Sequence, residues 1–393
     1  VENNISVKQN EYNVNLAEIN KKDAIGNFLP TLNAQGNHAW NSGLNVDVTT
    51  GLLRNQTTQT TSAGIGSGIT IFNGLRNLNE LRRADLTILA NQYQVDKIKD
   101  DISLNVINAY LLVLFNKEAV KVAEPQLEVT REQLNRTSKL VEAGTLPRGD
   151  LFDIQATIAT DEQNLVVTQN NVKLSLISLA QLLQLRDYDN FDIADEEIAT
   201  LPLVNLGSYT VDQIYQKALE NRNEIKVAKT NIDIAEKDIS LAKGNLYPTL
   251  TGFFNWNSRY STFDRIVGSE IDPDNPTVII GQVEGTGQNV ISPNFRPVTG
   301  DAADFSDQFD DNAGTNYGIG LQIPILNGFR ASNNVKRAKI NYEQTKYQLT
   351  QEELNLERTI NTVYADAQGS LKVYEAAQKS VLAQEESFRY AQE

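Results

Sequence analysis

Few residues in this chain could carry out chemistry. The 393 residues include one histidine, His38, and no cysteine, so thiol chemistry is absent and zinc binding or imidazole catalysis has almost no basis. Five aspartates lie between positions 301 and 311, but they lack the regular spacing and the distal glutamate of a calcium-binding loop. We find no phosphate-binding loop and no nucleophile paired with a base. The sequence therefore predicts a protein that is not an enzyme and needs no cofactor.

The composition limits the possible partners and the size of the protein. A net charge of −15 argues against nucleic acid as a partner. A hydrophobic content of 40% is ample for a core and for two or three structural units. No run of about 20 apolar residues is present, so the sequence predicts no transmembrane helix.

The chain is organised around a long helical hairpin, from about 79 to 185, that turns at 142–150. Apolar residues recur at spacings of three, four and seven on both sides of the turn, as in amphipathic helices. Ala143-Gly144 is expected to form a left-handed C-cap, Pro147 to prevent continuation of the first helix, and Asp150 to cap the second. Helices this long need partner helices from this chain or from other copies, because one pair cannot bury both apolar stripes.

The sequence contains an internal repeat. Segment 26–32, which ends in Pro-Thr-Leu, recurs at 244–250, an offset of 218 residues. A Gly-Ile-Gly motif followed by Asn-Gly, at 64–74, recurs at 318–328 with an offset of 254, so the loop of the second repeat is longer by 36 residues. This loop, from about 262 to 316, is rich in Asp, Gly, Pro and Asn and is interpreted as a surface excursion.

Between these motifs the side chains alternate with a period of two, which is typical of strands with one apolar and one polar face. Trp40, Trp256 and Tyr260 lie near the loop ends of their strands and suit an aromatic girdle at a membrane interface. The polar positions are candidates for lining a water-filled lumen: Asn33, Gln35, Asn37, Asn255 and Asn257.

Each repeat is predicted as helix, strand, loop, strand, helix, which makes four strands per chain. Four strands cannot close a barrel, and an open sheet would leave edges that promote aggregation. Three copies would supply twelve strands, an even number suited to an outer-membrane β-barrel. Closure by three copies would give a homotrimer in contact with outer-membrane lipid.

The predicted units follow the repeat. They are a helix over 1–28, a barrel hairpin over 29–74, the helical hairpin over 75–185, a connector over 186–211, a helix over 212–246, a barrel hairpin with a long outer loop over 247–328, and a helix over 329–393. By the second offset Glu393 corresponds to Lys139, so we expect the second hairpin tip and its return helix to follow residue 393. A start inside a helix predicts a processed or truncated N-terminus.

These motifs occur twice in the same order, and in this arrangement the sequence resembles the TolC-like outer-membrane efflux protein family over essentially the whole chain. The resemblance rests on the Pro-Thr-Leu strand entries, the Gly-Ile-Gly…Asn-Gly strand exits and the Glu142-Ala143-Gly144-Thr145…Asp150-Leu151…Gln155 turn. It implies a mainly α fold with a small β part and an internal twofold repeat. The implied assembly is a trimer whose 12-stranded outer-membrane barrel is continuous with a long periplasmic α-helical barrel, with the connector as a belt around its middle.

The resemblance also implies a function. Such a protein is the exit duct of a tripartite efflux or secretion system, a passive channel-tunnel that passes solutes outward from an inner-membrane transporter and a periplasmic adaptor protein. Asp150 matches an acidic family position near the constriction and is the gate candidate, although Pro147-Arg148-Gly149 departs from the usual small polar residues. The tip residues that would contact the adaptor are Gly144, Thr145, Leu146, Pro147 and Arg148.

One alternative of a different class stays open, a structural coiled-coil or adhesin-like surface protein. Long helices with polar faces fit this alternative. The alternating strand pairs and their duplication do not fit it, because a long coiled coil is expected to hold its heptads without strand interruptions.

Overall fold

The computed structural model describes residues 1–46, 53–188, 190–194 and 209–393. The chain divides into two compact units. The first unit contains residues 1–21, 82–239 and 337–393 and is built from helices; the second contains residues 22–81 and 240–336 and holds the strands. A mainly helical chain with a four-stranded sheet and an internal repeat confirms the fold class expected from the sequence.

The helices are long where the apolar periodicity is long. They are α1 Ile5–Gly26, α2 Arg76–Glu142, α3 Arg148–Leu182, α4 Val211–Asn221, α5 Asn223–Gly244, a short α6 Phe305–Asp311 and α7 Arg330–Gln392. Helix α2 runs for 67 residues and continues through Pro125. Over the described residues, none of the helices is both long enough and apolar enough to cross a membrane.

Helices α2 and α3 pack as the two arms of the hairpin. Leu127 on α2 and Leu179 on α3 are buried, as is the side chain of Thr130. The Thr130 hydroxyl donates a hydrogen bond of 2.7 Å to Asp161 Oδ2. One position along, Arg131 and Glu162 form an ion pair of 3.0 Å that is half exposed. Apolar contacts and these two polar contacts therefore join the arms.

The sequence predicts one helix over 212–246, whereas the structure has two. Arg222, between α4 and α5, takes an extended conformation (φ −68°, ψ 129°) that ends α4. Its guanidinium bonds to Glu224 at 2.8 Å, and the Asn223 amide donates to Asp100 Oδ2 of α2 at 2.9 Å. Thr210 and Gln213 form a capping box at the start of α4. The break therefore has local polar partners that helical periodicity alone does not reveal.

The four main strands form one antiparallel sheet. They are β1 Thr31–Val46, β2 Leu53–Phe72, β3 Thr249–Ser261 and β8 Gly314–Gln322, in the order β1-β2-β3-β8. Strand β8 ends before Pro324, because proline has no N–H to donate to a ladder. Within the described residues, β1 and β8 have no strand on their outer sides.

The turn from strand to helix is the same in both repeats. Gly74 and Leu75 have φ values of 69° and 62°, and Gly328 and Phe329 have 58° and 64°. Glycine is required at position 74, because a Cβ there would lie 2.6 Å from the Gly244 carbonyl oxygen. The internal repeat is therefore also present in the backbone conformation.

The excursion over 262–316 contains regular structure that the sequence analysis did not predict. Strand β4 Arg265–Ile271 pairs with β7 Phe295–Gly300, and β5 Thr277–Gln282 pairs with β6 Asn289–Pro293. We call these four strands the ribbon. The overlooked signal is the set of β-branched runs at 266–267, 278–280 and 290–291, which favour strands even inside a segment rich in turn residues.

Helix α6 packs against the end of β3, where β8 no longer pairs. Gln308 exchanges hydrogen bonds with the backbone of Ser261, at 3.1 Å to the amide and 2.8 Å to the carbonyl. The Asn312 amide donates to the Arg259 carbonyl at 2.9 Å. These side chains satisfy backbone groups that would otherwise be unpaired at the edge of the strand.

Candidate functional site

The polar side chains predicted to line a lumen lie on one face of the sheet. Asn33 of β1 and Asn255 of β3 both face Gly66 of the intervening strand β2. Gln35 and Asn257 flank Gly64 in the same way, and Asn37 lies opposite Ser62. The register thus brings all five candidates together across a central strand of small residues: Asn33, Gln35, Asn37, Asn255 and Asn257.

Two glycines of β2 leave room for the neighbouring polar groups. A Cβ at position 66 would lie 2.9 Å from Asn255 Oδ1, and one at position 64 would lie 3.2 Å from the Trp256 carbonyl oxygen. The Asn255 amide therefore lies across the backbone of β2 instead of standing upright from it. Sequence reasoning missed this role, although alternate glycines at 64, 66 and 68 were a visible signal.

This face is concave and rich in amides. It encloses a depression of about 970 Å³. Arg259 is the one charged side chain among the lining residues, which are otherwise mainly Asn, Gln, Ser, Thr and Gly. Apart from Arg259, this hydrogen-bonding wall is uncharged, and such a wall suits water and hydrated solutes.

The opposite face of the sheet is apolar and exposed. Leu32, Trp40, Tyr317 and Ile319 are exposed by 74%, 65%, 77% and 71%. Adjacent residues in a strand point to opposite faces, so the sheet separates a polar side from an apolar side. The sheet therefore has the two-faced character of a wall between water and lipid.

The single histidine and the aromatic residues of the expected girdle have structural contacts. His38 Nδ1 lies 2.8 Å from Thr61 Oγ1, and its ring packs edge-on against Trp40 at 4.1 Å between centroids. Trp256 and Tyr260 are partly covered by α6, with ring centroids 6.1 Å from Phe309 and 5.1 Å from Phe305. Of the three girdle candidates, Trp40 is the one that stays mainly exposed. Among the described residues, no group of three His, Cys, Asp or Glu side chains could hold a metal ion.

The hairpin tip has the C-cap that the sequence predicts. Gly144 adopts φ +76°, its N–H donates to the Val141 carbonyl at 3.0 Å, and the Thr145 N–H donates to the Leu140 carbonyl at 2.9 Å. This is the left-handed arrangement that ends many helices. The Thr145 hydroxyl also donates to the Leu140 carbonyl, at 2.8 Å. The tip is therefore an ordered turn.

Asp150 is not the N-cap of the second arm, which corrects the prediction. Helix α3 begins at Arg148, its N-cap is Pro147 in an extended conformation, and no side chain caps it. The reason is that Pro147 is compatible with the helix start and allows the helix to begin three residues earlier than expected. Asp150 instead lies in the first turn, where its negative charge interacts favourably with the helix dipole.

Most of the tip residues are exposed to solvent. Gly144, Thr145, Pro147 and Arg148 are exposed, and Leu146 is half buried. The turn thus offers a small contiguous surface that combines backbone, a hydroxyl, apolar groups and one positive charge. Asp150, further into α3, is half buried.

Only part of the connector predicted over 186–211 lies within the described residues. In the described part, Asp192 forms an ion pair of 2.8 Å with Lys117 of α2, whose amine also donates to the Ile193 carbonyl at 3.4 Å. The hydrogen bond from Lys117 lowers the pKa of Asp192 below 3.8, against a smaller opposing effect of burial. This segment is therefore held on α2 by charge.

Comparison with known sequences places these features in a family. The model of the outer membrane efflux protein family matches residues 1–184 and 214–393. The outer membrane protein TolC of Salmonella enteritidis is 21% identical over 302 residues, which are 75% of this chain and 52% of TolC. The chain therefore spans about half the length of this relative.

Solved structures share the fold. A membrane protein from Pseudomonas aeruginosa has a TM-score of 0.72 at 14% identity, over 96% of this chain and 76% of that protein. The outer membrane protein VceC of Vibrio cholerae has a TM-score of 0.69 at 16% identity, over 94% of this chain and 77% of VceC. At such low identity the likeness concerns the fold alone.

Proposed function

Because the chain belongs to the outer membrane efflux protein family, we propose that it forms the outer-membrane exit duct of a tripartite efflux or secretion system. In this proposal three copies form a passive channel-tunnel, and a partner transporter supplies the driving energy. The chain is not an enzyme, since the family it belongs to is one of efflux proteins.

The observation that carries this proposal is the two-faced sheet with unpaired edges. Four strands have a polar concave face and an apolar face, and β1 and β8 have no outer neighbour within the described residues. Pairing β8 of one copy with β1 of the next would satisfy both edges and place the apolar faces toward lipid. Three copies would close a barrel of twelve strands, an even number found in bacterial outer-membrane barrels.

The helical unit supports assembly with further copies for a similar reason. Phe115, Val122, Phe152 and Tyr347 are exposed by 70%, 72%, 66% and 74%. Large apolar surfaces on long helices need a partner, and neighbouring copies can provide one. A lone helical surface protein would also need such cover, but the two-faced sheet favours the duct over the coiled-coil or adhesin-like alternative.

The tip residues take the role of partner contact in this proposal. The exposed turn from Gly144 to Arg148 is ordered by its own hydrogen bonds, so binding a periplasmic adaptor would cost little ordering entropy. Asp150 is proposed to contribute to a gate near this tip. The five amide side chains Asn33, Gln35, Asn37, Asn255 and Asn257 are proposed to line the outer-membrane part of the lumen.

A matched pair of cysteine variants tests the duct. The chain has no cysteine, and Leu32 and Asn33 are neighbours that point to opposite faces of β1. In planar bilayers, we expect a charged, water-soluble methanethiosulfonate reagent to reduce the single-channel conductance of Asn33→Cys and to leave that of Leu32→Cys unchanged. The mass of the unmodified protein in detergent is expected to be that of a trimer. Equal effects on both variants, or a monomer without conductance, would contradict the proposal.

A further inference from the structure

Two turns of the chain, one from each repeat, are in direct backbone contact. The helix-to-strand turns are 26–29 and 244–247, and the strand-to-helix turns are 73–76 and 327–330. A Cβ at Gly74 would lie 2.6 Å from the Gly244 carbonyl oxygen, and a Cβ at Gly244 would overlap the side-chain stem of Arg76. The strand-to-helix turn of the first repeat therefore fits closely against the helix-to-strand turn of the second, and glycine is needed on both sides.

The other two turns have the same conformation but lack this contact. The same hydrogen bond closes both helix-to-strand turns, from the Leu29 N–H to the Gly26 carbonyl at 2.9 Å and from the Tyr247 N–H to the Gly244 carbonyl at 3.1 Å. Among the described residues, a Cβ at Gly26 or at Gly328 would meet nothing within 4 Å. Gly26 also lies outside the left-handed region, and glycine forms helices less readily than alanine. The fold of one chain therefore gives no reason for a glycine at position 26.

The apolar side chains before the open strand-to-helix turn are uncovered as well. In the first repeat Ile71 and Phe72 are exposed by 53% and 40%, and Phe72 pairs with Leu250 of β3. Their counterparts at the offset of 254, Ile325 and Leu326, are exposed by 93% and 89%. The start of β3 lies beside the first pair, whereas within the described chain no strand lies beside the second.

We propose that the strand-to-helix turn of the second repeat packs into the helix-to-strand turn of the first repeat of a neighbouring copy. We call this contact the lock; it rests on the proposed trimer. In the order β1-β2-β3-β8, the last strand of the first repeat lies beside the first strand of the second. A closed ring continues this order, so β8 lies beside β1 of the next copy. A second copy is the occupant because its turn has the conformation of the one that is already packed within the chain.

The contact within the chain also predicts the register of the joint between copies. Ser67 of β2 lies opposite Phe254 of β3. Shifted by the offsets of 254 and 218, this pair becomes Leu321 opposite Gly36 of the next copy. Both offsets are even, so every residue keeps its face and the polar face stays continuous across the joint. In the same register Arg330 takes the place of Arg76.

A matched pair of glycine variants tests the lock. Gly26→Ala adds a methyl group where the counterpart Gly244 tolerates none. Gly36→Ala is the control, because a Cβ there also meets nothing within 4 Å among the described residues, and its counterpart Phe254 shows that a side chain fits at this position of the joint. Following the mass of the full-length protein in detergent over time, we expect Gly26→Ala to speed trimer dissociation at least ~tenfold, because it overpacks a close contact. Gly36→Ala is expected to change this rate less than ~twofold.

Disulfide formation tests the same joint without changing the turns. The double variant Leu321→Cys with Gly36→Cys is compared with Leu321→Cys with Trp40→Cys, in which one thiol is displaced by four residues, or ~13 Å, along β1. Strands β1 and β8 of one chain are three strand spacings apart, ~14 Å, so a disulfide must join two copies. The chain has no other cysteine. After mild oxidation in outer-membrane vesicles, we expect the first variant to give disulfide-linked trimers at least ~tenfold more than the second.

The outcomes separate the lock from the duct. A trimer that Gly26→Ala leaves as stable as Gly36→Ala does would overturn the lock and leave the duct intact. A trimer that forms its disulfides through position 40 in place of position 36 would do the same, because the copies would then meet in another register. A monomer by mass would overturn both. If Gly26→Ala does not fold, the disulfide comparison decides, because both cysteine pairs leave the turns intact.

Discussion

The contact between Thr130 and Asp161 is expected to stabilise the helical hairpin far more than the neighbouring ion pair. Thr130 is 2% exposed, and its hydroxyl has a single proton, which the 2.7 Å distance assigns to the carboxylate of Asp161. A hydrogen bond to a charged group contributes ~1.5–3 kcal/mol. In contrast, the side chains of Arg131 and Glu162 are 52% and 51% exposed, and such pairs contribute ~0.2–1 kcal/mol.

The perturbation is Thr130→Val, which keeps the shape and removes the hydroxyl. We expect a loss of about 2 kcal/mol in the local opening free energy, because the half-buried Asp161 carboxylate loses its partner. At 1.4 kcal/mol per factor of ten, amide hydrogen exchange in α2 and α3 around these residues would accelerate ~30-fold. Arg131→Gln is expected to change the same rates less than ~5-fold.

Hydrogen exchange with mass spectrometry on the detergent-purified protein measures these rates. Thr130→Ser loses the methyl group but retains the hydroxyl, so it is the matched variant that keeps the hydrogen bond to Asp161. High salt should suppress the effect of Arg131→Gln and leave that of Thr130→Val largely unchanged, because buried interactions are screened less. Equal acceleration in Thr130→Val and Arg131→Gln would show that burial does not decide the strength of these contacts.

Three further predictions concern the other sites. Gly66→Ala is expected to lift the Asn255 amide off β2 and lower single-channel conductance, whereas Gly68→Ala, whose nearest contact would be at 3.8 Å, is expected to leave it unchanged. Gln308→Ala removes two hydrogen bonds to Ser261 and is expected to speed amide hydrogen exchange at the end of β3 about tenfold. Each bond contributes ~1 kcal/mol, and water recovers part of the loss. The control is Asp307→Ala, at an exposed position of the same helix. Because Lys117 lowers the pKa of Asp192, the stabilisation from this pair is present above pH 3.8, the ordinary pKa of the group, and is lost as the pH falls through the lowered pKa. Limited proteolysis near 190–194 is therefore expected to increase on acidification. Asp192→Asn is expected to show the same increase at pH 7.

The candidate sites were predictable to different degrees. The tip turn could be predicted from Ala143-Gly144 and Pro147, because helix termination depends on local backbone preferences. The first residue of the second arm could not be predicted, because Pro147 and Asp150 are both good residues for a helix start. In the structure Pro147 is the N-cap. The adaptor contact and the gate role of Asp150 stay predictions.

The strand alternation determined which side chains share a face, because the strand backbone imposes a period of two. The duplicated motifs determined the number of main strands, because the repeat is visible in the sequence itself. The order and register of the strands, and hence the meeting of Asn33 and Asn255 across Gly66, became known from the folded structure. The tertiary structure also decided that α6 caps the edge of β3 and that the ribbon forms inside an apparent loop. These features depend on contacts between residues far apart in the chain, and a local pattern carries no information about which distant partner will satisfy an unpaired backbone group.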